Sequence, residues 1–146
     1  MPGAFAPAGA TSTQCGKLRI MDGADVPSEI VVTDSRIDPA RLRMLLERFF
    51  GDMAKVVVDV RRRRVAVGGE LHADAEALLL DDGSRQVDLW GANYFPGLGL
   101  GKCIEFTALM NIRPAQGNRS MEIQDPGVRE AVRGIIHDLV GSGEPL

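Results

Sequence analysis

Lys55 to Leu80 reads KVVVDVRRRRVAVGGELHADAEALLL, and the fold turns on how this stretch is divided. Val56, Val57, Val58 and Val60 form a β-branched run that packs well on a pleated surface and poorly in a helix. Val65, Ala66 and Val67 make a second apolar run, and Arg61 to Arg64 lie between the two. Two such runs joined by a few polar residues predict a tight antiparallel hairpin with the four arginines at its tip. Hydrated guanidinium groups are costly to bury, so the tip is expected to stand in solvent, with bidentate contact to a phosphate as the alternative. After Gly68-Gly69 the signals compete. Ala and Glu favour a helix, whereas the two glycines and the period-two set Glu70, His72, Asp74 and Glu76 favour a strand with one polar face. The strand is the expectation, ending at the turn Asp81-Asp82-Gly83-Ser84.

Upstream of this stretch, Ile30, Val31 and Val32 predict a brief strand, and Asp38-Pro39 opens a helix that runs to Gly51. Leu42, Leu45, Leu46 and Phe49 recur there at the spacing of one helix face. Downstream, Gln86 to Tyr94 and Cys103 to Ile112 predict two further strands. In the second of these Ile104, Phe106, Ala108, Met110 and Ile112 share the face that should meet a helix, and Glu105, Thr107, Asn111 and Arg113 share the other. Asp125-Pro126 repeats the helix-opening signal, with Val128, Val132, Ile135, Ile136 and Leu139 as an apolar stripe that stops at Gly141. The sum is an α+β domain of two layers, a mostly antiparallel sheet of about five strands with two amphipathic helices on one face.

The 146 residues carry 17 basic groups, 14 of them arginine, against 20 acidic ones, and the net charge of -3 gives no cationic field for double-stranded nucleic acid. One compact domain over residues 28–143 is expected, with a flexible leader at 1–27 and a short tail at 144–146. Within the leader only Leu18 to Met21 reads as an extended piece. Cys15 and Cys103 do not make a disulfide scaffold, which places the chain in the cytoplasm. The apolar opening is broken by Pro2 and Pro7 and lacks a basic start, so neither a signal peptide nor a membrane span is expected.

GGELHAD (Gly68 to Asp74) and NIRPAQGNRS (Asn111 to Ser120) are the most distinctive phrases of the chain. They resemble the motifs of a small prokaryotic family of uncharacterised proteins, a domain of unknown function, and the resemblance spans roughly Ile30 to Val140. It implies no substrate, cofactor or mechanism.

Two constellations carry chemistry. On a strand, Glu70, His72, Asp74 and Glu76 would share one face, and a mixed imidazole and carboxylate set suits a divalent transition metal. Same-face neighbours lie about 7 Å apart, so His72, Asp74 and Glu76 are the metal candidates. His72 is alternatively a general base oriented by Asp74 or Glu70. The second group is Asn111, Arg113, Gln116, Asn118, Arg119 and Ser120, dense in donors suited to a carboxylate or phosphate. Neither a P-loop nor a dinucleotide fingerprint is present. Trp90, Asn93 and Tyr94 lead into a glycine-rich loop, Pro96 to Gly101, placed to cover a pocket or meet a partner.

Three functions follow as expectations. The first is a domain binding a small anionic ligand, contacted by Arg113, Asn118 and Arg119 and oriented by Glu70, His72 and Asp74. The second is a metal-dependent phosphoester hydrolase, with Arg119 stabilising charge in the transition state. The third is a homo-oligomeric interaction protein using an exposed sheet face or edge. The residues leave open whether the chain is an enzyme.

Overall fold

A computed structural model describes residues 29–146. The expected leader, the extended piece at Leu18 to Met21 and Cys15 lie outside the described residues. Five strands, β1 (Ile30–Thr33), β2 (Ala54–Asp59), β3 (Arg64–Gly68), β4 (Leu89–Tyr94) and β5 (Ile104–Glu105), make one sheet in the order β1-β3-β2-β4-β5. Every pairing is antiparallel. The α+β fold with a five-stranded antiparallel sheet is as the sequence predicts.

The arginine hairpin forms, with Val56 opposite Val67 and Asp59 opposite Arg64. Its turn is built on Asp59, a fully buried carboxylate that accepts from the Arg61 and Arg62 N–H groups at 2.9 and 2.8 Å and from Ser84 Oγ at 2.6 Å. Three donors on one carboxylate meet the requirement that a buried charge be hydrogen-bonded.

Period two in the strands sorts the core. Val56 and Val58 of β2, Val65 and Val67 of β3, and Trp90, Ala92 and Tyr94 of β4 pack with α1 (Pro39–Arg48) and α3 (Pro126–Leu139). Both helices begin as predicted. Asp38 accepts from the Ala40 N–H, Asp125 from those of Gly127 and Val128, and a proline follows each cap. These two helices cover one face, as expected.

The stretch after Gly69 is corrected: it is a helix, α2 (His72–Asp81), not a strand. Gly68 and Gly69 have φ of +111° and +82°, a region open to glycine, and they turn the chain off the sheet instead of starting a new strand. A Cβ at Gly68 would lie 2.5 Å from the Glu29 carbonyl oxygen. Past them, Ala and Leu follow their helix propensity. Ala75 and Leu79, four residues apart, pack on Val57, Ala66 and Leu89 on the sheet face away from α1 and α3.

The strand expected over Cys103 to Ile112 is also corrected, since only Ile104–Glu105 pairs. Beyond it the chain forms short 3₁₀ turns at Leu109–Asn111 and Pro114–Gln116, with bridges between Thr107 and Glu122 and between Arg113 and Asn118. The predicted faces scramble accordingly. Asn111 is fully buried and Ile112 is exposed. Gly91 explains the departure, because a Cβ there would lie 2.6 Å from Ala108 Cβ and 3.1 Å from Met110 Cγ, so this segment lies directly on β4. No helix among the described residues is long and apolar enough to cross a membrane.

Candidate functional site

The donors of the loop at 111–120 turn inward. Fully buried Asn111 accepts from the Gly91 N–H at 2.9 Å through Oδ1, and its Nδ2 donates to the carbonyls of Gly91 at 2.9 Å and Met121 at 3.0 Å. Arg113 donates through Nε to the Met110 carbonyl at 3.1 Å and through Nη1 to the Gln86 carbonyl at 2.7 Å and Gln116 Oε1 at 3.1 Å. Its Nη2 donates to the Leu89 carbonyl, and the guanidinium lies 4.1 Å from the centre of the Trp90 ring. Burial lowers the Arg113 pKa, and the negative charge of Glu76 opposes that shift. Buried Asn118 puts Nδ2 within 2.8–2.9 Å of the carbonyls of Asn111, Ser120 and Glu122 while its Oδ1 accepts from the Gln124 N–H at 2.8 Å. Gln116 Nε2 donates to the Val87 carbonyl at 3.2 Å, and Ser120 Oγ accepts from the Glu122 N–H at 3.0 Å. Arg119 alone of the six stays outward: its guanidinium makes no hydrogen bond or ion pair among the described residues. The donors of Arg113 and Asn118, expected to grip an anion, thus face mainly main-chain carbonyls.

A second polar group gathers where α2 starts against the sheet. Lys55, Asn93 and Glu105 are direct cross-strand neighbours on β2, β4 and β5. His72, the first residue of α2, places Nε2 2.8 Å from the Ala92 carbonyl oxygen. A carbonyl only accepts, so Nε2 carries a proton and the neutral ring keeps its lone pair on Nδ1. Burial pulls the imidazole below its usual 6.5 against the opposing hydrogen bond to Ala92, and the smaller effect of the Lys55 charge lowers it further while that of Asn93 raises it. Asn93 Nδ2 donates to Glu105 Oε1 at 2.7 Å. Since a carboxylate accepts and does not donate, this contact fixes which end of the amide is nitrogen. It leaves Oδ1 buried with no hydrogen-bond partner, in a residue only 7% exposed. Lys55 Nζ lies 5.2 Å from the centre of the Phe50 ring and makes no ion pair among the described residues.

The family model described as a protein of unknown function, DUF5674, matches residues 30–139. The chain belongs to this family. The match opens at the first residue of β1 and closes at the last of α3, so both distinctive phrases fall inside the DUF5674 domain. No curated protein and no solved structure matches the chain.

In this DUF5674 chain the acidic set is dispersed by the helix. His72 and Glu76, four residues apart, share a side of α2, whereas Asp74 is rotated by about 200° from His72 and is exposed. Glu70 precedes the helix. Among the described residues no three His, Cys, Asp or Glu side chains group to hold a metal ion, and the helix does not bring His72, Asp74 and Glu76 together on one side. At the arginine tip Arg61 and Arg63 stand in solvent as expected and Arg62 and Arg64 are half-buried, and all four pair with carboxylates. Arg61 pairs with Asp88 at 3.1 Å, Arg62 with Asp82 at 3.2 Å, Arg63 with Asp138 at 2.6 Å, and Arg64 with Asp34 and Asp82 at 3.1 and 3.0 Å. The glycine-rich loop is tied down by its own chain end, with the Gly97 and Gly99 N–H groups each donating to the Gly143 carbonyl at 3.0 Å. Glu144, within the expected tail, accepts from Tyr94 Oη and the Ser142 N–H. Trp90 and Cys103 are buried core residues.

Lys55 and Glu105 are the members of the polar corner that sequence reasoning missed. Their signal is a polar residue at the matching face of each strand, and it becomes legible only once the register of β2, β4 and β5 is known.

Proposed function

We propose that the protein is a small-ligand-binding domain and that its ligand, a small organic anion carrying a hydrogen-bond donor, is held at the corner of Lys55, His72, Asn93 and Glu105. The unpartnered Asn93 Oδ1 carries this reading. A buried acceptor left unsatisfied costs about 1–3 kcal/mol, which a donor on a ligand recovers. Lys55 supplies a cation without an ion-pair partner among the described residues, and His72 Nδ1 offers a second acceptor. Ligand entry requires the imidazole to turn off the Ala92 carbonyl. That is a one-side-chain movement at the first turn of α2, where Leu71 provides no side-chain cap.

The test is a screen of small hydroxy and amino acids by ¹H–¹⁵N NMR on the full chain. Binding should shift the Asn93 side-chain amide and the His72 ring, and both Asn93→Leu and Lys55→Met should abolish it while the fold is retained. Binders that shift only residues 111–120, or affinity unchanged in both variants, would overturn the assignment; so would the absence of any binder at millimolar concentration.

A further inference from the structure

The inward turn of the loop donors leaves its outer surface apolar. Leu109 is 72% exposed, Ile112 43% and Met121 41%, and Val87 on the adjoining segment is 51% exposed. These residues belong to backbone held together at short range: the Ala108 N–H donates to the Met121 carbonyl at 3.1 Å, and Gln116 Nε2 donates to the Val87 carbonyl at 3.2 Å. Leu109 and Ile112 are three residues apart across a 3₁₀ turn, in which side chains at that spacing eclipse one another. A surface so thoroughly fixed by Asn111, Arg113 and Asn118 loses little conformational freedom when it is covered.

The charges on this surface identify what covers it. Arg119 and Glu122 are both exposed and three residues apart, with Ser120 and Met121 between them. Neither side chain has an ion-pair partner among the described residues. A patch of one sign would call for an oppositely charged partner. A cation and an anion on either side of exposed Met121 in the chain can be self-complementary about a two-fold axis, since residue i then meets residue j of the partner and j meets i.

We propose that this face is a homodimer interface, with the two-fold axis near Met121, Arg119 paired with the partner's Glu122, and Leu109, Ile112 and Val87 covered across the axis. Its apolar part rests on four exposed side chains, Val87, Leu109, Ile112 and Met121, so the dimer is expected to be weak and concentration-dependent. This inference is independent of the ligand corner, which lies at the start of α2.

Sedimentation velocity of the full chain over about two decades of concentration tests it. The expected result is a monomer–dimer equilibrium. Arg119→Glu and Glu122→Arg should each weaken it at least about tenfold, because like charges are then juxtaposed twice. The double variant Arg119→Glu with Glu122→Arg should restore it, since the pair is exchanged on both copies. Ile112→Asp should leave a monomer with an unchanged thermal transition. A wild-type chain that stays monomeric throughout, a dimer indifferent to the single charge reversals, or a folded double variant that fails to recover would each overturn the proposal.

Discussion

Replacing Asn111 with alanine tests whether the NIRPAQGNRS phrase is architectural. The carboxamide accepts from the Gly91 N–H and donates to the Gly91 and Met121 carbonyls, all at 2.9–3.0 Å and all with the side chain fully buried. Each hydrogen bond contributes a net of about 1 kcal/mol, and each main-chain group left buried without a partner costs about 1–3 kcal/mol. Asn111→Ala is therefore expected to destabilise by about 3–5 kcal/mol, a large share of the roughly 5–15 kcal/mol that holds a domain together. Urea unfolding followed by circular dichroism should show the midpoint falling by about 2 M if the slope is near 2 kcal/mol/M. Asn111→Asp keeps the acceptor for Gly91 but removes both donors and aims a carboxylate at two carbonyls, so it should do at least as much harm at neutral pH and less as the carboxyl is protonated. Gly91→Ala forces a Cβ to within 2.6 Å of Ala108 and disturbs the same contact from the other side. The Gly91→Ala and Asn111→Ala penalties should therefore add to less than their sum. A loss below about 1 kcal/mol in Asn111→Ala would refute the account.

Arg113→Met removes donors to the Gln86, Leu89 and Met110 carbonyls and the cation above Trp90; a loss of about 2–4 kcal/mol is expected, with a red shift in emission from the chain's one tryptophan. Arg113→Lys should not rescue either readout, because a single ammonium cannot reach carbonyls on several sides, and a wild-type spectrum with wild-type stability would contradict this. His72 has a folded pKa below its unfolded value near 6.5, so the unfolded chain binds the extra proton. Stability should then fall as pH drops through about 6.5 and level off below the folded value, and His72→Gln should flatten that part of the curve. Parallel urea titrations of the two chains that keep the same slope from pH 7.5 to 5.5 would show that another group is responsible.

The helix α1, the helix α3 and the arginine hairpin were legible because each is specified locally: an Asp-Pro start followed by an apolar stripe, or two β-branched runs around a polar turn. The helix α2 was not. It buries only Ala75 and Leu79, and its exposed side includes Leu78 and Leu80, so no amphipathic period stands out against the alternation of Glu70, His72, Asp74 and Glu76. Helix propensity and the turn made by Gly68 and Gly69 decided it. That error propagated to function, because the metal set depended on a strand's spacing. The arginine tip stands at the surface as read, but its partners were not legible, because Asp82, Asp88 and Asp138 approach it from distant segments.

The loop donors looked like an anion site because sequence reveals donors but not what they face. In space they solve a problem set by the sheet. β5 is two residues long, and the alternate residues of β4 direct their main-chain groups toward that short neighbour. Phe95 reaches the Cys103 carbonyl at 2.7 Å, and Asn93 lies opposite Glu105. Gly91 and Leu89 lie beyond the end of β5. A buried strand edge cannot be left unpaired without cost, and the Asn111 carboxamide takes the place of a peptide group for Gly91 while Arg113 satisfies the carbonyl of Leu89. The phrase NIRPAQGNRS thus continues the sheet with side chains where the backbone has left it. Once Asn111, Arg113 and Asn118 are accounted for in this way, other polar groups are left without a partner among the described residues. Among them Asn93 Oδ1 and Lys55 point to the corner beside His72, and Arg119 and Glu122 point to the outer surface of the loop.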